Sequence, residues 1–432
     1  MTLFFWLLLG DFSWSMRERS VGPMAQWYLN HLNVPNLLFG LLLSSFPAFL
    51  ALVLGPIISV KSDRHRSKWG RRIPFLLVTT PLATLGMVGL GVTPSIARWI
   101  HGHFPGQSEM VLSVICFAGF WAAFELATIA GGAVFGGLVN DLVPPELLGR
   151  FYGLFRTVSL IDGMIFNYWL MGKVPSHFSL ILIVVGLFYG TSFLWVCLRV
   201  KEGEYPPPEP PPPLKLHPVI SFFHETKIYF RECFSNRYYL AVFVMLTTGS
   251  LTFSPVNTFA IPYAENLGVD MDVYGKAVAF TFFISLCLSY FLGWLADIFH
   301  PLRMAMAALV GYLVISIWGA FCAKTPEHFL VAWVLHGVLS GTYYSGAASL
   351  AQRLFPRIRF AQFASANGIV GALALMILAP AMGTVIDVAG KAYRLTFALG
   401  AVLALIALLA TWGVYGSFVK LGGPKAYIPP EV

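Results

Sequence analysis

The chain has 432 residues, of which 57% are hydrophobic and only 11% are charged, and its mean hydropathy is +0.73. Soluble domains carry about a quarter of charged residues, so this composition excludes an ordinary soluble protein and indicates an integral membrane protein. The formal net charge is +8. The basic residues lie in short segments between apolar runs, a distribution typical of topology-setting loops and not of a nucleic-acid surface.

Twelve apolar runs are long enough to cross a bilayer, which requires about 20 mainly apolar residues per helix. Their predicted bounds are 3–29, 35–60, 72–94, 110–139, 148–171, 177–199, 237–261, 272–297, 303–322, 328–352, 359–386 and 393–419. The first run lacks the basic start and the cleavage site of a secretory signal, so we interpret it as a membrane helix. The predicted fold class is all-α integral membrane, with twelve transmembrane helices.

Two connections are longer than the others. Residues 95–109 are predicted to form an outer loop, and residues 200–236 join helix six to helix seven. The second connection contains YPPPEPPPPL, which favours an extended backbone. An aromatic and basic stretch follows, which suits an amphipathic helix on the membrane surface, with a disordered linker as the alternative. This linker divides the chain into six-helix bundles at 1–199 and 237–432.

The distribution of Lys and Arg predicts the orientation of the chain. The even-numbered loops, the linker and the C-terminus hold 19 of these residues, the odd-numbered loops hold 6, and three lie within proposed helices. Basic loops stay on the cytoplasmic side. We therefore expect both termini in the cytoplasm and the protein in a plasma or inner membrane.

The densest charge cluster, SVKSDRHRSKWGRRIPF at 59–75, follows helix two and begins with a single acid, Asp63. Between helices eight and nine, GWLADIFHPLR places Asp297 in the corresponding position. Repeated six-helix halves are typical of transporters that bind substrate between the halves near the membrane midplane. A carboxylate here can accept hydrogen bonds from a helix N-terminus and from arginines. We predict a network that latches the halves together, with topology alone as the alternative.

The segment SDRHRSKWGRRIPF resembles the loop between helices two and three of the major facilitator superfamily. Its S-D-R start and G-R-R-x-P end are similar to the sucrose–proton and the glycoside–pentoside–hexuronide symporters, and the twelve-helix layout extends the resemblance to the whole chain. The resemblance implies two pseudo-symmetric six-helix bundles that alternate access to a central site. It also implies the cytoplasmic gate residues Asp63, Arg64, Gly70, Arg71, Arg72 and Asp297.

Two further matches are local. GDF at 10–12 resembles the start of helix one in the glycoside branch, which implies that Asp11 contacts sugar. Glu125 precedes NDLVPPE by the spacing of the helix-four acid in the sucrose group, although the arginine which that group carries in between is absent. The aspartate pair on helix two and the lysine on helix eleven of melibiose-type members are also absent, which argues against a sodium site of that kind.

Helix one carries charged residues at bilayer depth, where each costs a few kcal/mol and is a functional candidate by default. At about 100° per residue, Asp11, Ser15, Glu18 and, more loosely, Arg19 share one face. Arg17 points elsewhere.

Helices four and five supply further charges, Glu125 and Arg156, with Asp162 off the face of Arg156. We predict that Glu18 and Glu125 form the proton-coupling site, balanced by Arg19 and Arg156, because a carboxyl group changes its proton affinity as a neighbouring arginine moves. A purely structural ion-pair network is the alternative.

The second half offers uncharged polar groups instead. Pro255 is expected to break or kink helix seven, and amides and aromatic rings on helices seven, ten and eleven suit the hydroxyls and C–H faces of a sugar. Close packing of helices through small residues is the alternative. The predicted substrate-binding residues are Asp11, Arg17, Asn167, Asn257, His336, Tyr343, Tyr344 and Asn367.

These features predict a secondary active transporter, specifically a proton-coupled symporter of a sugar or glycoside. An anionic substrate, such as a hexuronide or organic acid, and a transport-inactive membrane scaffold or sensor are the alternatives. No Walker A sequence, metal cluster or nucleophile–base signature is present, so we expect no enzyme activity, no metal and no cofactor beyond a coupling cation. The expected partners are a small-molecule substrate and membrane lipid, with no nucleic acid, and the expected state is a monomer.

Overall fold

The computed structural model describes residues 2–203, 205 and 227–430, and these residues form helices and connections without a strand. The proline-rich stretch and the first part of the predicted surface helix lie outside the described residues, although residues 227–234 are helical. Twelve long helices follow one another along the described residues. In order, α1 to α12 are Thr2–His31, Asn36–Arg64, Ile73–His103, Glu109–Leu142, Pro145–Ile165, Val174–Arg199, Arg237–Asn266, Met271–Phe299, Pro301–Cys322, Pro326–Ala347, Phe360–Val388 and Leu395–Lys420.

The helices have the length and apolarity of membrane spans. Nine stretches of the described chain are long and apolar enough to cross a membrane, and one of them, Glu146–Arg199, contains most of α5 and all of α6. The spans α1, which carries several charges, and α10, which carries a polar run, complete the twelve. The chain is a multi-pass integral membrane protein, as its composition predicts.

The predicted outer loop at 95–109 is wrong. Helix α3 continues to His103, and the connection to α4 is only 104–108. The extra turns remain helical because Ala97 is fully buried and because the side chain of Arg98 donates to the Pro94 carbonyl, one turn earlier (3.2 Å). A proline within a membrane helix is tolerated where neighbouring groups restore the lost contacts.

Several helices are locally broken or contain a wider, underwound turn. Helix α7 is interrupted after Leu251 and resumes at Ser254. Pro255 lies in the first turn of the second piece, where its missing N–H leaves no intrahelical bond unmade, so the predicted break at Pro255 is confirmed. Helix α2 contains a π-helical turn at Leu41–Ser45, and a second π-helical turn, Phe166–Leu170, directly follows α5. Such turns are frequent at functional sites.

The two halves repeat the same arrangement. Helix α3 packs against α4 and α6, and α1 packs against α5 and α6. In the second half α9 packs against α10 and α12, and α7 packs against α11 and α12. When six is added to each helix number, every one of these contacts in the first half gives a contact that is present in the second half. This confirms the two pseudo-symmetric bundles that the repeated loops predict.

The ends of the molecule differ in how the halves meet. We call the end that holds residues 65–72, 200–203 and 421–430 the basic face, and the end that holds 32–35 and 389–394 the opposite face. Among the described residues, hydrogen bonds between the halves concentrate toward the opposite face, and the one nearest the basic face joins Arg156 to Ser345 (3.4 Å). The described conformation is therefore closed at the opposite face.

Candidate functional site

The charged residues of α1 line two neighbouring cavities. A cavity of about 380 Å³ lies between α1, α4 and α5, and Asp11, Ser15, Glu18 and Arg19 all face it. These are the four residues that helix periodicity places on one face. Its walls also include Val139 near the basic-face end of α4, so the cavity extends toward that face.

A second cavity of about 340 Å³ lies on the other side of α1, between α1 and α4. It is lined by Arg17, Glu18 and Glu125, and it shares Trp14 and Glu18 with the first cavity. Arg17 lies on a different side of α1 from the four-residue face and lines this second cavity. It interacts there electrostatically with both acids.

Aromatic rings hold Arg17 in place. Its guanidinium lies 4.0 Å from the ring centre of Trp14, 5.4 Å from Tyr189 and 5.7 Å from Phe124. The residue is only 4% exposed, and its Nε has no hydrogen-bond partner among the described residues. Cation–π contacts strengthen when they are desolvated, so this cage keeps a permanent positive charge beside Glu125.

The two predicted balancing arginines bond to serines. Arg19 donates to the Ser159 hydroxyl (2.8 and 3.2 Å) and lies over the ring of Phe282 (5.1 Å). Arg156 donates to Ser345 of the other half (3.4 Å). Both line the larger first-half cavity with Glu18. In the described conformation, Arg17 is the arginine that lies next to Glu125.

The predicted site leaves out one buried acid, Asp162 on α5, which helix periodicity places off the face of Arg156. It is fully buried, and neither carboxylate oxygen has a hydrogen-bond partner among the described residues. Asp11 and Arg19 lie within electrostatic range of it, and Asp11 Oδ2 is likewise unpartnered. A buried carboxyl group without a partner is costly. The feature of the sequence that could have identified Asp162 is the presence of an acid within an apolar helix.

The second half forms an uncharged cavity wall. A cavity of about 400 Å³ is lined by Ser254, Asn257, Tyr344 and Asn367, with glycines and apolar residues around them. Asn367 Oδ1 is buried without a hydrogen-bond partner among the described residues. No acid or base lines this cavity, so it offers amide and hydroxyl groups only.

His336 lies behind this wall and orients Asn257. Its Nε2 donates to Asn257 Oδ1 (3.0 Å), and the Tyr312 hydroxyl donates to its Nδ1 (2.8 Å). The imidazole is 1% exposed and stacks on Trp333. Since the oxygen of the Asn257 amide is occupied, its N–H groups are presented to the cavity.

Two more predicted binding residues also lie behind the cavity walls. Asn167 is 4% exposed and donates to the Gly163 carbonyl of its own helix (2.8 Å). Tyr343 is 3% exposed and packs against Phe253. Of the eight predicted residues, those that line cavities are Asp11, Arg17, Asn257, Tyr344 and Asn367.

The predicted gate forms a network at the basic face. Arg72 pairs with Asp63 (2.5 Å) and Asp141 (3.1 Å) and donates to Ser62, and Arg71 pairs with Asp141 (2.6 Å). The hydrogen bond with Asp141 raises the pKa of Arg71. All of these residues belong to the first half, so the described part of the gate joins helices within one half and does not join the two halves.

An acid that the sequence did not reveal completes this network. The Glu202 carboxylate accepts hydrogen bonds from the backbone N–H groups of Arg71, Arg72 and Ile73 (2.9, 2.8 and 2.7 Å), at the N-terminus of α3. Such a position favours negative charge. Gly70 has φ +99°, and a Cβ there would lie 2.4 Å from the Glu202 side chain, which explains the glycine.

The other predicted gate residues make few described contacts. Arg64 is exposed at the end of α2. Asp297 lies on α8, near the basic-face end, and its side chain is outside the described ones.

The opposite face carries the same kind of contact, but between the halves. The Asp387 carboxylate of α11 accepts hydrogen bonds from the backbone N–H groups of Asn36 and Leu37 (3.2 and 3.1 Å) and from the Asn36 amide (2.6 Å). A Cβ at Gly383 would lie 2.1 Å from the Asn36 carbonyl, and one at Gly40 would lie 2.7 Å from the Ala379 carbonyl. Helices α2 and α11 thus cross in close contact at this end.

Comparisons with known proteins agree with this geometry. Residues 251–417 match the family model of the Major Facilitator Superfamily. No protein in a search of curated sequences matches significantly. Among solved structures, a bacterial homologue of the human lysosomal transporter Spinster, inward-facing and unoccupied, has 14% identity and a TM-score of 0.67 over 97% of this chain and 96% of that one.

Two further structures are similar over nearly the whole chain. The xylose transporter XylE from E. coli, inward open, has 11% identity and a TM-score of 0.67 over 94% of this chain and 95% of that one. The nucleoside transporter NupG has 11% identity and a TM-score of 0.64 over 96% and 99%. The chain therefore has the fold of these transporters, and residues 251–417 are similar to the Major Facilitator Superfamily model.

Proposed function

We propose that this chain is a secondary active transporter that co-transports a neutral sugar or glycoside with protons by alternating access. One observation carries the proposal: the first-half cavities are lined by acids and arginines, whereas the second-half cavity is lined by amide and hydroxyl groups. Uncharged donors and acceptors suit hydroxyls, and buried acids beside arginines suit a coupling ion. The structural neighbours include a xylose transporter and a nucleoside transporter, which is consistent with such a substrate.

The coupling site in this proposal is Glu18 with Glu125. Arg17 replaces the predicted Arg19 and Arg156 as the nearest balancing charge of Glu125. In this proposal α1 and α4 also shift against each other within the first half during the transport cycle, and the change in the separation of Arg17 and Glu125 changes the proton affinity of the carboxyl group. Asp162 with Asp11 is a second candidate pair, because it is buried without a hydrogen-bond partner among the described residues.

Alternating access follows from the two ends of the molecule. We propose that the basic face is cytoplasmic, as the distribution of Lys and Arg favours, and that the described conformation is open toward it. Asp387 then closes the outer side. In the reverse movement the contact between α2 and α11 separates, while Asp63, Arg72 and Glu202 approach the second half.

An anionic substrate is the second candidate, because Arg19 and Arg156 both line the larger first-half cavity. Proteoliposome uptake distinguishes the two: a neutral sugar or glycoside accumulates under an imposed proton gradient, and a protonophore abolishes the accumulation. Preferential uptake of hexuronates would support the anion instead. Proteoliposomes that accumulate neither class, with the protein correctly folded, would favour the scaffold or sensor.

A further inference from the structure

A fully buried acid on α5 lies apart from the cavities of the first half. Asp162 has no exposed surface, and neither oxygen of its carboxyl group has a hydrogen-bond partner among the described residues. It lines none of the cavities described above. An ionised carboxylate in such surroundings is costly, and it becomes neutral by binding a proton. The surroundings of Asp162 therefore favour its protonated form in the described conformation.

An arginine near this carboxyl group is bonded elsewhere. Arg19 interacts electrostatically with Asp162, but its guanidinium donates two hydrogen bonds to the Ser159 hydroxyl (2.8 and 3.2 Å). Ser159 lies three residues before Asp162 on α5, and side chains at this spacing are neighbours on a helix. A change of rotamer in the long side chain of Arg19 therefore exchanges the hydroxyl for the carboxyl group as its partner.

The second half of the chain contributes to the position of Arg19. The guanidinium lies 5.1 Å from the centre of the Phe282 ring on α8. The same ring packs closely on α5, since a Cβ at Gly163 would lie 2.6 Å from it. Alternating access moves the two halves against each other. The position of this ring, and with it the position of Arg19, therefore depends on the conformation of the protein.

A second acid connects Asp162 with the larger first-half cavity. Asp11 interacts electrostatically with Asp162, and its Oδ2 is buried without a hydrogen-bond partner among the described residues. Asp11 lines the cavity that extends toward the basic face. Among the described residues, the charged groups that act on Asp162 are Asp11 and Arg19, both on α1, whereas α8 contributes the apolar ring of Phe282. Asp11 therefore lies between the buried acid and the cavity.

We propose that Asp162 is a proton-binding site and that Arg19 displaces the proton when its guanidinium leaves Ser159. In this inference, which rests on the proposed proton-coupled transport, Asp11 relays the released proton to the cavity. As the guanidinium approaches, the O–H bond of Asp162 breaks, and the proton passes to the Asp11 carboxylate and then to water at the basic face. An ion pair of Arg19 and Asp162 remains. Arg19 stays charged throughout, so one proton is transferred in each cycle.

Infrared spectroscopy of the purified full-length protein tests the assignment, because a protonated carboxyl group has a C=O stretching band that an ionised carboxylate lacks. We expect wild-type protein at neutral pH to show a band component that is lost in Asp162→Asn. Asp272→Asn, which removes a partly exposed acid that pairs with Lys276, should keep this component. Two results would overturn the proposal: a spectrum that is unchanged in Asp162→Asn, or a wild-type protein that lacks the band and is stabilised by Na⁺.

A variant that keeps the acid tests the role of the arginine. Ser159→Ala removes the hydroxyl that holds Arg19, so the guanidinium turns to Asp162 and the band component of the protonated carboxyl group is lost. Thr157→Val, which removes a hydroxyl that donates to the Gly153 carbonyl of the same helix (3.0 Å), should keep it. Ser159→Ala gives an answer even if Asp162→Asn fails to fold, and an unchanged band in Ser159→Ala refutes the displacement by Arg19.

Transport measurements separate this inference from the proposed function. In proteoliposomes, Arg19→Gln is expected to lose net accumulation, because the proton is not displaced, while exchange of substrate persists. Arg98→Gln, which changes an exposed arginine at the opposite-face end of α3, should retain both activities. Wild-type protein that accumulates no substrate under a proton gradient would contradict the proposed function. Normal accumulation in Arg19→Gln alongside active wild-type protein would contradict the inference alone.

Discussion

The two halves have the same helix contacts but differ in the chemistry of their central cavities. In each half, the first helix packs against the fifth and sixth helices, and the third helix packs against the fourth and sixth. Yet acids and arginines line the first-half cavities, whereas amides, hydroxyls and glycines line the second-half cavity. The fold repeats because bilayer length and apolar contact fix the helices. The polar residues that line the cavities are free to differ, so one half can bind the coupling ion while the other half recognises the substrate.

Removal of the α4 acid is expected to have the largest effect. In Glu125→Gln the carboxyl group is replaced by an amide, so no proton binds at this position in either conformation. We expect accumulation against a gradient to be abolished and energy-independent exchange of substrate to persist. Proteoliposome accumulation and counterflow measure the two. Glu109→Gln, which changes an exposed acid in the first turn of the same helix, is the matched control.

Two other acids decide how this result is interpreted. If Glu125→Gln and Glu18→Gln both accumulate substrate normally, these residues have only a structural role, as part of an ion-pair network that holds the helices of the first half together. Asp162→Asn then becomes the decisive variant, because Asp162 is buried without a hydrogen-bond partner among the described residues. If coupling is lost only in Asp162→Asn, the coupling-ion site is assigned to α5.

The closed end of the molecule offers the next largest effect. Gly383→Ala places a Cβ 2.1 Å from the Asn36 carbonyl, and overpacking of this kind costs about 1–3 kcal/mol. We expect the population to shift about tenfold to hundredfold toward the conformation that is open at the opposite face. Distances between spin labels on residues 33 and 391, in a cysteine-free background, measure the shift.

Gly371→Ala is the matched control for this variant. Gly371 lies on the same helix, and a Cβ there would meet no atom within 4 Å. Identical distance distributions in Gly383→Ala and Gly371→Ala would show that the contact between α2 and α11 does not hold this end closed.

A third variant tests recognition in the second half. His336→Phe removes the donor to Asn257 Oδ1, and an unsatisfied buried polar group costs about 1–3 kcal/mol. The Asn257 amide loses its orientation, so we expect the substrate Kd to rise about tenfold while the accumulation ratio is retained. Ligand-dependent thermal shift and uptake measure the two. His328→Phe, at an exposed position of α10, should bind normally, and loss of coupling in His336→Phe would contradict the division between the halves.

Much of the fold follows from the sequence. Runs of about 20 apolar residues define the spans, and an angle of about 100° per residue places Asp11, Ser15, Glu18 and Arg19 on one cavity wall. The same angle puts Arg17 on another side of α1, but a single helix does not show which neighbour lies there. Arg17 lines the second cavity together with Glu125 of α4.

The helix-capping acids could not be predicted in the same way. Glu202 reaches the start of α3, and Asp387 reaches the start of α2 from the other half of the chain. Both contacts depend on how distant segments approach each other, and neither acid stands in a local motif. The buried position of His336 was similarly hidden, because a titratable residue in a polar run can face a cavity or orient a neighbour that does.

The smallest expected effect concerns the gate at the basic face. Asp63 is half exposed and pairs with Arg72, whose guanidinium keeps Asp141 and Ser62 as partners. Exposed ion pairs contribute about 0–1 kcal/mol, so Asp63→Asn should slow turnover a few-fold and leave substrate affinity nearly unchanged. Uptake rates and Kd measure the two quantities. Glu146→Gln, an exposed acid at the same face, is the control. Normal turnover with weakened affinity in Asp63→Asn would place this residue in substrate binding and remove it from the gate.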